Sequence, residues 1–441
     1  MIKGFSDIFR IPELKKRVLF TLGIIAAYRL GASIPIPGID AIALRGFFQA
    51  QSGTIFGFLD MFSGGALKRL SVFSLGIMPY INASIIMSLL QTVIPYLERL
   101  SKEGELGRKK IIQITRYSTV LLAFIQSFGL TFWMQSIEGP TGPVVRSPNL
   151  RFQFIAVITM VTGTIFVMWL GEQISEKGIG NGISLIIFAG IVGRLPAAVK
   201  NVFSLLRHNE ISLFGILFLI ALVLVITGAV VLVEQAQRKI PVQYAKRVIG
   251  RKIYGGQSTY LPLKVDQSGV IAVIFAVSIM VFPQTLKQFF PNVKIMETVS
   301  GWLSYGSLTY NILYASLIIF FCYFYTAITF NPQDIADNMK KWGGYIPGIR
   351  PGAPTAEYID RILTRITLGG AIFIVIIAIL PFYFQAVLKA PFFFGGTALL
   401  IAVGVALDTM GQIESHLIMR HYEGFMKKSR IKGRYFNIRT K

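Results

Sequence analysis

Ten apolar stretches of roughly bilayer length punctuate this chain, and together they carry more apolar surface than the core of a soluble domain can hide. A hydrocarbon layer about 30 Å thick needs about 20 apolar residues per helix. Bounded by charge, Pro or Gly, the stretches run approximately Val18 to Pro35, Val72 to Ile94, Tyr117 to Gln135, Phe152 to Leu170, Ile183 to Val199, Leu213 to Val233, Ser268 to Leu286, Leu308 to Thr329, Ile366 to Val387 and Phe392 to Met410. With 53% hydrophobic residues against 15% charged ones, the expected class is an all-α integral membrane protein. The basic N-terminal stretch runs into a full-length helix without a small-residue cleavage signature, so it reads as a retained start, not a signal peptide.

Charge is one-signed, with 44 Lys and Arg against 21 Asp and Glu, and its distribution sets an orientation. If the N-terminus is cytoplasmic, 32 of the 44 fall on cytoplasmic ends and loops, as the positive-inside rule requires. An even number of spans brings the C-terminus back to the same side. The segments Glu234 to Val265 and Asn331 to Arg365 are long and basic, with β-branched and aromatic residues between the charges. Tyr-Gly-Gly and Pro-Gly turns favour a folded protrusion that docks partners, the alternative being an ordinary solvated loop.

Sites for chemistry are hard to find. The sequence contains no Gly-Lys dipeptide, hence no P-loop, and no HExxH or CxxC; its three histidines, His208, His416 and His421, lie at or beyond helix ends. The lone Cys322 reads as a small buried hydrophobe. No cofactor and no metal are expected, and the chain is not expected to be an enzyme. The ionisable residues noted in the spans are Arg29 near the end of the first and Asp408, followed by Glu414, at the end of the tenth. An ion-coupled transporter would place carboxylates at the midplane, whereas polar groups here are neutral, such as Asn82, Gln126 and Asn311. An intramembrane enzyme would need a nucleophile and base within the bilayer, and only scattered serines are available.

The stretches PIPGID, MFSGGAL, LGIMPYI, GEQISEKGIGNGISLIIFAGI, IPVQYAKR, QSTYLPLKV, FNPQDIADNMKK, IPGIRPG and PFFFGGTALLI, taken in order along almost the whole chain, resemble those of the SecY family, the pore subunits of bacterial protein translocases. The resemblance implies ten transmembrane helices in two inverted five-helix halves around an hourglass pore. The halves would be residues 1–207 and 208–420, followed by a basic cytoplasmic tail, 421–441. The implied function is a protein-conducting channel of the bacterial inner membrane that passes unfolded, signal-bearing polypeptides and releases transmembrane segments sideways into lipid.

The same resemblance assigns residues. An apolar ring at the waist maps onto Ile77, Ile81, Ile183, Ile187, Ile274 and Ile401; the first two pairs are also spaced i,i+4, which puts each pair on one helix face. A short plug helix under that ring maps onto about 54–67, with Gly57, Phe58, Leu59, Met61 and Phe62 in its body and Gly64-Gly65 as its hinge. A lateral gate maps onto Met78 to Leu90 and Val270 to Val281, with Asn82 and Ser278 at its seam, where ordinary interhelical hydrogen bonding is the plainer reading. Docking of the SecA ATPase and of ribosomal RNA and proteins maps onto Arg247, Arg251, Lys252 and Arg350, in the loops 234–265 and 331–365. Many relatives carry arginine where this chain has Lys252, which keeps the charge but not the planar fork. The implied companions are SecE and SecG.

Overall fold

A computed structural model describes residues 11–40, 42–44, 60, 63–139, 142–208, 212–244, 247–249, 252–254, 258–289, 301–303, 307–388 and 396–428. Helix dominates, and every one of the ten apolar runs carries some. The helices are α1 (Pro12–Gly31), α2 (Met78–Val93), α3 (Pro95–Lys102), α4 (Glu105–Gln135), α5 (Leu150–Lys177), α6 (Gly182–Val192), α7 (Leu195–Arg207), α8 (Leu213–Gln235), α9 (Val270–Phe289), α10 (Leu308–Thr329), α11 (Pro332–Lys341), α12 (Ala353–Leu388) and α13 (Gly396–Lys428). Among the described residues, seven helical stretches are long and apolar enough to cross a membrane, with α6 and α7 counted as one and α10 and α11 as one, or eight if α2 and α3, bent by 99°, form one broken span.

Local chemistry sets these limits. Side-chain oxygens of Asn181, Ser212, Ser307 and Asn331 accept first-turn N–H groups of α6, α8, α10 and α11, satisfying donors that have no partner within the helix. Pro95, which has no N–H to donate, stands at the bend between α2 and α3. Large apolar side chains remain exposed along the helices, Phe214, Leu224 and Phe124 among them, and α8 has only 11% of its apolar stretch buried. Such a surface is stable against lipid, not water.

Two spans differ from the sequence expectation. The second begins at Met78 and not at Val72: Val72 to Ile77 form turns, with Gly76 at φ +55°. The fifth is broken at Gly193 and Arg194, and α7 resumes with Pro196 in its first turn, where a missing N–H costs no helix bond.

Among the described residues, three larger apolar clusters organise the interior. The largest joins α1, α2, α5, α6, α8, α9, α10, α12 and α13. A second, including Ile36, Leu67, Leu70, Met134, Val145 and Phe152, sits where the chain between α1 and α2 meets the ends of α4 and α5. The third lies beneath a small sheet. Strands β3 (Gln237–Tyr244) and β6 (Ser258–Lys264) form an antiparallel pair from Gln237 opposite Lys264 to Gln243 opposite Ser258, and β3 also pairs with β7 (Gly344–Tyr345). Ile240, Val242 and Leu263 of that sheet are buried with Met339, Ile346 and Ile359. The two basic loops, read separately in the sequence, thus fold as one platform. Between β3 and β6 in the chain, β4 (Arg247–Ile249) and β5 (Lys252–Tyr254) pair as a separate hairpin, while β1 (Glu138–Gly139) and β2 (Gly142–Pro143) make a short ribbon between α4 and α5.

Candidate functional site

The six isoleucines matched to the ring all belong to the largest cluster. Ile77, Ile81, Ile187, Ile274 and Ile401 are between 0 and 7% exposed, and Ile183 packs against them half-buried. Ile77 stands at the head of α2, and the N–H of Ile81 donates to its carbonyl at 3.1 Å, so the pair shares one face despite the late start of the helix. Ile183 and Ile187 lie on α6, Ile274 on α9 and Ile401 on α13; α9 packs on both α2 and α13, and α13 on α6. Branched aliphatic side chains from four helices thus belong to one apolar cluster. None of them carries a hydrogen-bonding group.

Of the residues matched to the plug, Gly57, Phe58, Leu59, Met61 and Phe62 lie outside the described residues. Gly64 and Gly65 lie within them, at φ +67° and +90°, backbone that a side chain strongly disfavours. Around this turn is a polar network in a largely apolar setting. Tyr28 donates its hydroxyl to the Ser63 carbonyl at 3.1 Å, and Arg29 donates to the Gly64 carbonyl at 3.0 Å. The second guanidinium nitrogen of Arg29 donates to the carbonyls of Ala189 and, at 3.3 Å, Gly190. Those carbonyls belong to the last turn of α6, which gains a cation at its negative end.

Asp60 is fully buried. Its carbonyl accepts the Ser63 hydroxyl at 3.1 Å and the Gly65 N–H at 2.9 Å, and its Oδ1 accepts the Lys68 N–H at 2.8 Å. Oδ2 faces the Arg194 guanidinium as an ion pair, without an aligned hydrogen bond. Burial also holds the Lys68 ammonium below its ordinary pKa. Beyond the turn the chain is fastened: Leu70, at φ +39°, accepts the Ile36 N–H at 2.9 Å, and the Val72 N–H donates to Ile34 at 3.0 Å.

Sequence reasoning passed over Asp60 and Arg194. Each is a lone charge inside an apolar phrase, TIFGFLDMFSGGAL and FAGIVGRLPAAV, and buried charges are rarely left unpaired. That rule, applied to opposite signs, would have joined them.

At the seam, α2 and α9 pack together, with Asn82 half-buried. Ser278 is buried, but its hydroxyl donates to the Ile274 carbonyl at 2.8 Å within its own helix, so it makes no strong tie across the seam. On the platform, Arg247 lies on β4 opposite Tyr254, and Lys252 on β5 opposite Ile249. Arg251 lies outside the described residues. Arg350 is exposed in the turn between β7 and α12, its carbonyl accepting the Thr355 hydroxyl at 2.8 Å. At the platform base, buried Asp266 accepts the Gly269 N–H at 2.7 Å and the Ser268 hydroxyl at 3.0 Å. Burial raises its pKa, with those hydrogen bonds opposing the shift.

The SecY family model matches residues 71–410. The protein translocase subunit SecY of Escherichia coli strain K12 is 50% identical over 426 residues, which cover 96% of each chain. That of Aquifex aeolicus is 46% identical over 430 residues, covering 97% of this chain and all of the relative. Three solved structures share the fold at 17 to 18% identity, each match covering 97% of this chain and 99% of the other. One is described as a protein-conducting channel (TM-score 0.67), one as a SecY protein whose plug domain stabilises the closed channel and maintains a membrane seal (0.65), and one as Sec61 in the canine ribosome-channel complex (0.64).

Proposed function

The chain belongs to the SecY family, and from that premise we propose that it is the pore of a protein translocase, passing unfolded signal-bearing polypeptides across the membrane and membrane segments sideways into lipid. The observation that carries the reading is that Ile77, Ile81, Ile187, Ile274 and Ile401, from four helices, belong to one buried apolar cluster against which Ile183 packs. A constriction of such side chains disfavours hydrated ions by dewetting and yields to side chains of different size.

In this reading ten helices form two inverted halves, 1–207 and 208–420, with the tail 421–441 and both termini in the cytoplasm of a bacterial cell. Residues 54–67 are a plug that seals the ring at rest and swings on Gly64-Gly65. The gate lies between α2 and α9, where a bound signal segment tips the balance between two packings. The β3–β6–β7 platform, with Arg247, Arg251, Lys252 and Arg350, is the cytoplasmic dock for a SecA-type ATPase and for the ribosome. SecE and SecG are its membrane companions. The chain itself is a non-catalytic pore, and its partners supply the energy.

Reconstitution tests the whole. Liposomes holding the channel with its companions should import a signal-bearing polypeptide only when the ATPase is added, and a cysteine at Ile81 or Ile274, with Cys322 replaced, should crosslink to a stalled chain. Absence of an adduct with an engaged chain refutes the ring. Uptake of a small solute without partners refutes the channel class.

A further inference from the structure

We infer that Arg194 is a latch residue that sets how readily the channel opens, by holding the fully buried carboxylate of Asp60 against the break between α6 and α7. The inference rests on the reading of residues 54–67 as a plug and adds to it a specific closing contact. Three observations converge on it.

First, Asp60 is the last acidic group before the Gly64-Gly65 turn and is wholly removed from solvent, so its charge requires a partner. The partner is Arg194, 134 positions along the chain. Second, Arg194 stands where α6 has ended at Val192 and α7 has not begun, so its side chain extends from a fixed break in the bundle and not from a loop. Third, a second clamp lies beside the first: Arg29 joins the Gly64 carbonyl to the end of α6 through Ala189 and Gly190. Space for it is built in, because a Cβ on Gly64 would stand 3.1 Å from the Gly190 Cα, and one on Gly193 would collide with the Arg29 guanidinium.

The two clamps differ in kind. Arg29 grips main-chain carbonyls, which the Asp60 charge does not supply, whereas Arg194 grips a side chain and fails when that charge is removed. Moving Asp60 away from the break between α6 and α7 must separate it from Arg194, while the fastened stretch after Leu67 stays in place. The ion pair is thus made in the closed state and lost in the open one, and its strength biases the equilibrium.

The test uses the full chain with its companion subunits in planar bilayers, read as resting ion conductance, together with export of a polypeptide carrying a defective signal. Asp60→Asn keeps an acceptor for the Lys68 N–H but removes the charge, and should raise resting conductance about tenfold, equivalent to about 1.4 kcal/mol of lost closed-state preference. It should also let the defective signal through. Arg194→Lys should fall between wild type and Asp60→Asn. Adding Arg194→Gln to Asp60→Asn should change conductance no further, because the interaction is already gone. Deletion of Gly57 to Gly65 serves as the reference. If the deletion leaks while Asp60→Asn and Arg194→Lys conduct as wild type, the latch is refuted and the plug stands. If the deletion does not leak, the plug reading fails and the latch with it. Strictly additive effects of the two substitutions also overturn it.

Discussion

Gly193 and Arg29 are 164 positions apart and compete for one small volume: a single methyl group on the glycine would run into the guanidinium that ties the Gly64 carbonyl to the end of α6. Gly193→Ala should therefore push Arg29 off its carbonyls. The guanidinium is the far end of a flexible side chain, so the cost is that of its lost hydrogen bonds, about 1.5 to 3 kcal/mol. The expected outcome is a lower midpoint of thermal unfolding in detergent and a raised resting conductance, with partner binding unchanged.

Truncating the ring separates its two duties. Ile274→Ala removes a buried side chain from the contact of α9 with its neighbours and should destabilise the protein by roughly 2 to 5 kcal/mol. It should also widen the constriction, so that ion conductance measured while a polypeptide is threaded rises above that of wild type. Single-channel recording with a stalled chain distinguishes this from simple loss of folded protein.

Arg350 is exposed and its side chain carries no fold-defining contact among the described residues. Arg350→Ala should leave thermal stability within about 0.5 kcal/mol. Ribosome binding, measured by co-sedimentation across a salt series, should weaken, and the slope of log affinity against log salt should become shallower by about 1 for one lost phosphate contact.

Asp266 gives a pH dependence with a definite sign. Its folded-state pKa lies above the unfolded value, because burial disfavours the charged form more than its hydrogen bonds favour it. The folded protein thus holds the proton more tightly than the unfolded chain, and stability falls as pH rises from the unfolded pKa of about 3.9 through the raised folded value. Asp266→Asn should flatten this part of the stability profile and raise the unfolding midpoint at neutral pH, as followed by thermal denaturation across a pH series.

Much of the helical plan was legible because lipid imposes a simple length rule, and Leu308 to Thr329 was read to the residue. The residues proposed for the ring were assigned only through the family motifs, since an isoleucine at a waist and one facing lipid look alike in sequence. The break at Gly193 and Arg194 was missed because an apolar average over Ile183 to Val199 absorbs one charge. The platform was half legible. Turn residues in each loop announced a folded protrusion, but the pairing of Gln243 with Tyr345 joins segments about a hundred residues apart, a relation that no local pattern encodes.

The base of that platform has a mechanical meaning. Strand β6 ends at Lys264, the Val265 N–H is held by the Ala236 carbonyl at 3.0 Å, and Asp266 grips Gly269 just before α9 begins. The strand and the helix that carries Ile274 are therefore coupled with almost no slack, like a crank keyed to its shaft. In the proposed channel, a partner docked on the sheet would act on α9, and on the gate proposed there, through this short hydrogen-bonded link.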